Sequence, residues 1–123
     1  MFLNCLTVAL GGGLGAVCRY LFGLLPLKTN SGFPLATMII NLLGSFVIGL
    51  IVGFAQKNSN LNPKVIMFIK VGFCGGFTTF STFSLESLGL FQSGSYLIAI
   101  LYMTLSFVLC LAGTAGGLFL ASR

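Results

Sequence analysis

Histidine and tryptophan are absent from this chain, and Glu86 is the one acid among its 123 residues. Without histidine or a second carboxylate, the usual general acid–base pairs, carboxylate dyads and histidine triads cannot be assembled. A metal site of His, Asp and Glu ligands is excluded on the same ground. The chain therefore does not read as an enzyme. Charge of either sign is scarce: 6% of residues are charged and 57% hydrophobic, with a mean hydropathy of +1.11. A soluble domain carries about a quarter charged residues, and a chain this short buries too little surface to hide so much apolar material in a core. The solvent it suits is lipid. Its six Lys and Arg residues, which set a net charge of +5, are scattered, so they form no nucleic-acid footprint. Cys5, Cys18, Cys74 and Cys110 lie in apolar stretches and form no C-x-x-C. Such cysteines behave as small hydrophobes, and neither a disulfide nor a zinc or redox role is expected. Met1 to Leu10 carry no basic residue and no A-x-A site follows, so the first apolar stretch is expected to stay in the mature protein.

What is present is apolar sequence in four blocks, at about 2–26, 33–55, 65–90 and 96–121. Pro26 to Pro34, Gln56 to Lys64 and Gln92 to Ser95 separate them with Pro, Gly, Asn and Ser. At about 20 residues per crossing, four crossings use roughly 80 residues and leave only loops and ends. The expected fold is a single all-α membrane domain over 1–123, each helix satisfying its own backbone in lipid. The alternating strands of a β-barrel are not seen. Four crossings put both termini on one side, with Lys57, Lys64 and Arg123, while Lys28 and Arg19 lie toward the other. Lys70, near the start of the third helix, snorkels toward the first group. That K/R excess is too small to fix one orientation, and the expectation is a chain that inserts both ways and pairs antiparallel. Glycines number 17. Gly11, Gly15 and Gly23 share a spacing of four with Arg19; Ser45, Gly49 and Gly53, and Gly113 and Gly117, repeat it. Such stripes let helices approach closely in a bilayer.

The third block is the unusual one. It runs Gly75-Gly76-Phe77-Thr78-Thr79-Phe80-Ser81-Thr82-Phe83-Ser84 at bilayer depth. It reads either as a helix that stops and restarts or as a continuous helix with a packing notch at the glycines. A broken helix supplies free carbonyls for a cation and free N–H groups for an anion. Phe77, Phe80 and Phe83 recur every third residue among hydroxyls. Their ring edges are electropositive, so they can face an anion without placing a full charge in its path. Asn41 sits mid-way through the second block, either as a hydrogen-bonding bridge between helices or as an amide donor to an anion. In the fourth block Tyr102, Ser106, Cys110 and Thr114 repeat at spacing four and share one helix face. Their hydroxyls either bond their own backbone or form a ladder of donors. Arg19 and Glu86 are the intramembrane charges, a type that defaults to a functional reading; Arg19 lies close enough to its helix end to snorkel and reads as structural, and Glu86 also reaches an interface.

Taken together, Gly12-Gly13-Leu14-Gly15-Ala16 with Arg19-Tyr20, Asn41-Leu42-Leu43-Gly44-Ser45, and Gly75 through Phe83 resemble the CrcB/Fluc family of microbial fluoride channels. The likeness covers essentially the whole chain, and the third-block motif is its most specific part. Cys110 stands where a hydroxyl is common. The resemblance implies a dual-topology homodimer, packed antiparallel in the bacterial inner membrane, with two fluoride pores and a broken third helix. It implies that Phe80 and Phe83 turn their edges to fluoride, with Ser81 and Thr82 beside them. It implies too that Asn41 lines the pore and that Tyr102, Ser106 and Thr114 form the polar track. It further implies one structural sodium ion at the dimer centre, held by backbone carbonyls of Gly75 and Thr78. Export would be passive and would relieve fluoride toxicity.

Two other classes fit less well. A coupled exporter of the small multidrug resistance type also has four helices and dual topology. Its chemistry needs a buried acid on the first helix, where this chain has none, and its aromatic cages tend to use Trp. A non-transporting assembly subunit would not need the Phe/Thr/Ser run.

Overall fold

A computed structural model describes residues 1–123. The first span is α1 (Phe2–Gly23) and the second α2 (Leu35–Lys57). The third span covers Pro63–Gln92 in pieces: α3 (Pro63–Met67), a π-helical stretch Phe68–Phe73, α4 (Cys74–Phe77) and α5 (Phe80–Gln92). The fourth is α6 (Tyr96–Ser122). All four spans are long and apolar enough to cross a membrane. Their ends lie within three residues of the blocks read from hydropathy.

Local chemistry sets the ends of the third span. Asn62 caps its start, Oδ1 accepting from the Lys64 amide at 2.9 Å, with Pro63 in the first turn where no amide is needed. At its far end the Gly94 amide returns to the Phe91 carbonyl and the Ser95 amide to Leu90. Gly94 takes φ +79° there, a conformation open to glycine at no steric cost.

The spans pack as two close pairs, α1 against the π-helical stretch and α4, and α2 along α6. Glycine makes both approaches possible. A Cβ on Gly15 would run into the Phe73 carbonyl and the Phe77 amide, and one on Gly76 into the Gly12 backbone. On the other seam Gly49 meets Thr114 backbone and Gly117 meets the Phe46 carbonyl. At Gly23, on the same sequence stripe as Gly11 and Gly15, a Cβ would meet nothing within 4 Å in this chain. Only 17 of the 123 residues are buried, so most side chains are left for lipid or another molecule. The π-helical stretch, with no signature in the hydropathy pattern, lies where Gly72 meets Gly11.

The helix break falls two residues beyond the glycine pair. Gly75 and Gly76 are inside α4, and the extended residues are Thr78 (φ −76°, ψ 158°) and Thr79 (φ −150°, ψ 113°). Gly76 serves the approach to α1 instead. The chain can leave the helix at the threonines because their polar groups find other partners, described next.

Candidate functional site

Thr79 is held from both sides. Its amide donates to Asn41 Oδ1 at 2.7 Å, and its carbonyl accepts from Asn41 Nδ2 at 3.1 Å. Asn41 thus bridges α2 to the break with a planar amide that satisfies an extended residue as a neighbouring strand would. One of its two Nδ2 protons remains for other acceptors. The Thr79 hydroxyl caps α5, accepting from the Thr82 amide at 3.1 Å. It also donates to Thr82 Oγ1 at 3.0 Å and lies 3.3 Å from Ser81 Oγ. The Thr78 hydroxyl turns back to the Cys74 carbonyl at 2.7 Å. Thr79→Val removes the cap at constant shape and is expected to destabilise the protein by about 1 kcal/mol, read as a lower midpoint in SDS titration of the micelle-bound protein.

Along the break runs an open cleft of about 530 Å³. Asn41 and Ser45 come from α2, Gly75 from α4, Thr78 and Thr79 from the break, Phe80 and Phe83 from α5, and Ser106, Cys110 and Thr114 from α6. The structure therefore gathers Asn41, Gly75, Thr78, Phe80, Phe83, Ser106 and Thr114 around one space. Phe80 projects freely, 79% exposed, with its ring centroid 5.5 Å from that of Phe83. Ser106 is buried, yet its hydroxyl has no partner within the chain. Buried polar groups are almost always paired, so this hydroxyl is a donor left available beside the cleft. The Thr114 hydroxyl instead donates to the Cys110 carbonyl at 3.1 Å.

Ser81, Thr82 and Tyr102 are not among the cleft's lining residues. Ser81 and Thr82 cluster on the Thr79 cap. Tyr102 is fully buried, its ring 5.2 Å from Phe83 and its hydroxyl donating to Glu86 Oε2 at 2.7 Å. Thr37 donates to the other Glu86 oxygen at 2.8 Å. Glu86 is thus a two-point acceptor tying α5 to α2 and α6, and it lines a second, smaller hollow under the first loop with Lys28 and Phe33. Arg19 stands on α1 outside both hollows. Lys70, read from sequence as a snorkelling charge, lines the main cleft and is its one charged residue. Thr79 and Thr37 drew no individual assignment from sequence, and Ser45 was read only as part of a packing stripe. Only for Thr79 did a signal exist, a hydroxyl three residues ahead of Thr82 at a helix start.

Residues 6–118 match the family described as CrcB-like protein, Camphor Resistance (CrcB). The chain belongs to this family. Among curated relatives, the "Fluoride-specific ion channel FluC" of Ruminiclostridium cellulolyticum is 46% identical over 120 residues, covering 97% of this chain and 92% of that protein. The protein of the same name from Shewanella halifaxensis is 49% identical over 109 residues, 88% of this chain and 87% of the relative. That from Methanopyrus kandleri is 45% identical over 113 residues, 91% and 84% respectively. CrcB membership and four spanning helices make the chain a multi-pass membrane protein and not an enzyme.

Proposed function

We propose that this CrcB chain is a passive, fluoride-selective channel that exports cytoplasmic fluoride. It works as an antiparallel, dual-topology homodimer with two pores in the bacterial inner membrane and confers fluoride resistance. The observation that carries the reading is the cleft itself: the Phe80–Phe83 pair, the Asn41 amide and the unpartnered Ser106 hydroxyl border one open space. The names of its relatives support the choice of ion.

Fluoride is small and strongly hydrated, so a selective path must replace its water with many neutral donors. Ring edges, an amide and hydroxyls do so without a trap deep enough to hold the ion. The open flank of the cleft and the exposed face of Phe80 suit a second copy that completes the path. Lys70 adds a cation at the cleft wall about two turns inside the start of the third span. Direction follows from the membrane potential, negative inside, which drives an anion outward by about 2.3 kcal/mol per 100 mV.

Sodium fits the break. The amide that would serve the Gly75 carbonyl in a continuous helix is that of Thr79, which goes to Asn41; the one that would serve Thr78 is that of Thr82, which goes to the Thr79 hydroxyl. Both carbonyls are thereby left as oxygen donors of the kind that hold Na⁺ at unwound helices. Gly75 and Thr78 of the two copies would hold one ion at the dimer centre, where its charge ties the carbonyl ends together as a structural element.

The test is efflux from liposomes containing only purified protein, loaded with fluoride and chloride and started with a potassium ionophore. Fast fluoride release without a proton gradient, with chloride retained, is the expected result; no release from intact dimer defeats the reading. Lys70→Met is expected to slow fluoride release about 3- to 10-fold at low ionic strength, with the deficit shrinking as salt screens the charge.

A further inference from the structure

We infer that Asn41 is a positioning residue for the cation site: by capturing the Thr79 amide, it keeps the Gly75 carbonyl open to a small hard cation. This rests on the sodium reading above and assigns the site to a side chain that does not itself touch the ion.

The reasoning starts from the helical ladder, in which each amide donates to the carbonyl four residues back. Gly75 and Thr79 are such a pair. In this fold the Thr79 amide is instead 2.7 Å from Asn41 Oδ1, on a helix 38 residues away in sequence. The Thr79 carbonyl is tied to the same side chain at 3.1 Å. With both polar groups of Thr79 anchored to α2, the residue cannot swing back into helical geometry, and its extended φ of −150° is held. Without the anchor, the acceptor that helical geometry offers its amide is the Gly75 carbonyl, and bonding there would extend α4 and consume that oxygen. Gly75 is exposed and lines the open cleft, so its backbone lies where an ion or the returning amide can reach it. The partner carbonyl at Thr78 is freed separately, by the Thr79 hydroxyl. Asn41 therefore controls one of the two donors each copy contributes.

The experiment follows the melting temperature of the detergent-purified dimer as sodium replaces potassium at constant ionic strength, with fluoride efflux measured in parallel. Wild type is expected to gain stability with sodium. Asn41→Leu, close in shape but unable to hold the amide, should need at least about tenfold more sodium for the same rise, or lose it. Asn41→Asp loses the donor to the Thr79 carbonyl but retains the acceptor for the Thr79 amide, the bond that spares the Gly75 carbonyl, so it should keep the sodium response while its charge in the cleft stops fluoride flux. That split is one a general loss of structure would not produce. A wild-type sodium response in Asn41→Leu, or loss of the response in Asn41→Asp, overturns the inference. Should Asn41→Leu fail to assemble, Asn41→Ala carries the same two outcomes. A wild type that conducts fluoride but ignores sodium sinks this inference and the sodium site together, leaving the channel standing. A wild type that gains stability with sodium but does not conduct sinks the channel alone.

Discussion

Fluoride efflux is expected to fall roughly 100-fold when Phe80 and Phe83 are both replaced by isoleucine or methionine, with the protein still folded and dimeric. The replacements conserve size and apolar character, so packing is little disturbed: Phe80 is 79% exposed within the protomer. What they remove is the electropositive ring edge. A desolvated ion that loses a partner at each of two positions forfeits about 1–3 kcal/mol per position, and 1.36 kcal/mol is tenfold in rate. Initial rates in the liposome assay, against a gel-filtration check of assembly, decide the matter. Efflux within a factor of two of wild type would mean the rings are ordinary lipid-facing residues and would move the path elsewhere in the cleft.

Gly15→Val is expected to prevent assembly of the fold, whereas Gly13→Ala and Gly23→Ala should raise stability slightly. All three glycines lie in α1, and composition does not tell them apart. At Gly15 a Cβ meets backbone on both sides, the Phe73 carbonyl and the Phe77 amide, and backbone cannot rotate away as a side chain can. The helices must separate, which costs the close packing that drives association in lipid and shifts α4 and the break it carries. Overpacking of this kind exceeds the usual 1–3 kcal/mol when no side chain can yield. A Cβ at Gly13 or Gly23 would meet nothing within 4 Å in the chain, and alanine there gains about 0.4–1 kcal/mol by restricting the unfolded chain. Yield of monodisperse protein and SDS unfolding midpoints report both effects. Normal assembly of Gly15→Val would refute the packing of α1 on the third span.

The glycine stripes show how far sequence spacing reaches. A period of four marks one helix face, and it located Gly11, Gly15, Gly49 and Gly117 at true contacts. It also included Gly23, where a Cβ would meet nothing within the chain, because spacing marks a face without saying what lies against it. The broken third span was legible from a Gly-Gly pair and a hydroxyl run at bilayer depth, but the break itself lies at Thr78 and Thr79. Glycines permit a helix to stop without making it do so. The stop needs acceptors and donors for the orphaned groups, and those come from Asn41, 38 residues away. For Asn41 the sequence left a bridge between helices and an anion donor as alternatives. The amide does bridge, and one proton is left over.

Hydroxyl roles divided in the same way. Tyr102, Ser106 and Thr114 share a face by periodicity, yet Tyr102 is engaged with Glu86 and Thr114 with its own helix, while the Ser106 hydroxyl has no partner. Which hydroxyl is spent depends on what the neighbouring helix presents. Composition and hydropathy alone determined that this chain lives in lipid, crosses it four times and lacks the groups for acid–base catalysis. These follow from amounts and from one-dimensional order, since the free energy of placing apolar or ionisable groups in a bilayer is set residue by residue. Tertiary structure alone decided where the third span breaks, which polar atoms face the cleft and that Lys70 stands at its wall. A hydrogen bond forms at one distance and one angle, and those are decided only when helices distant in sequence have packed.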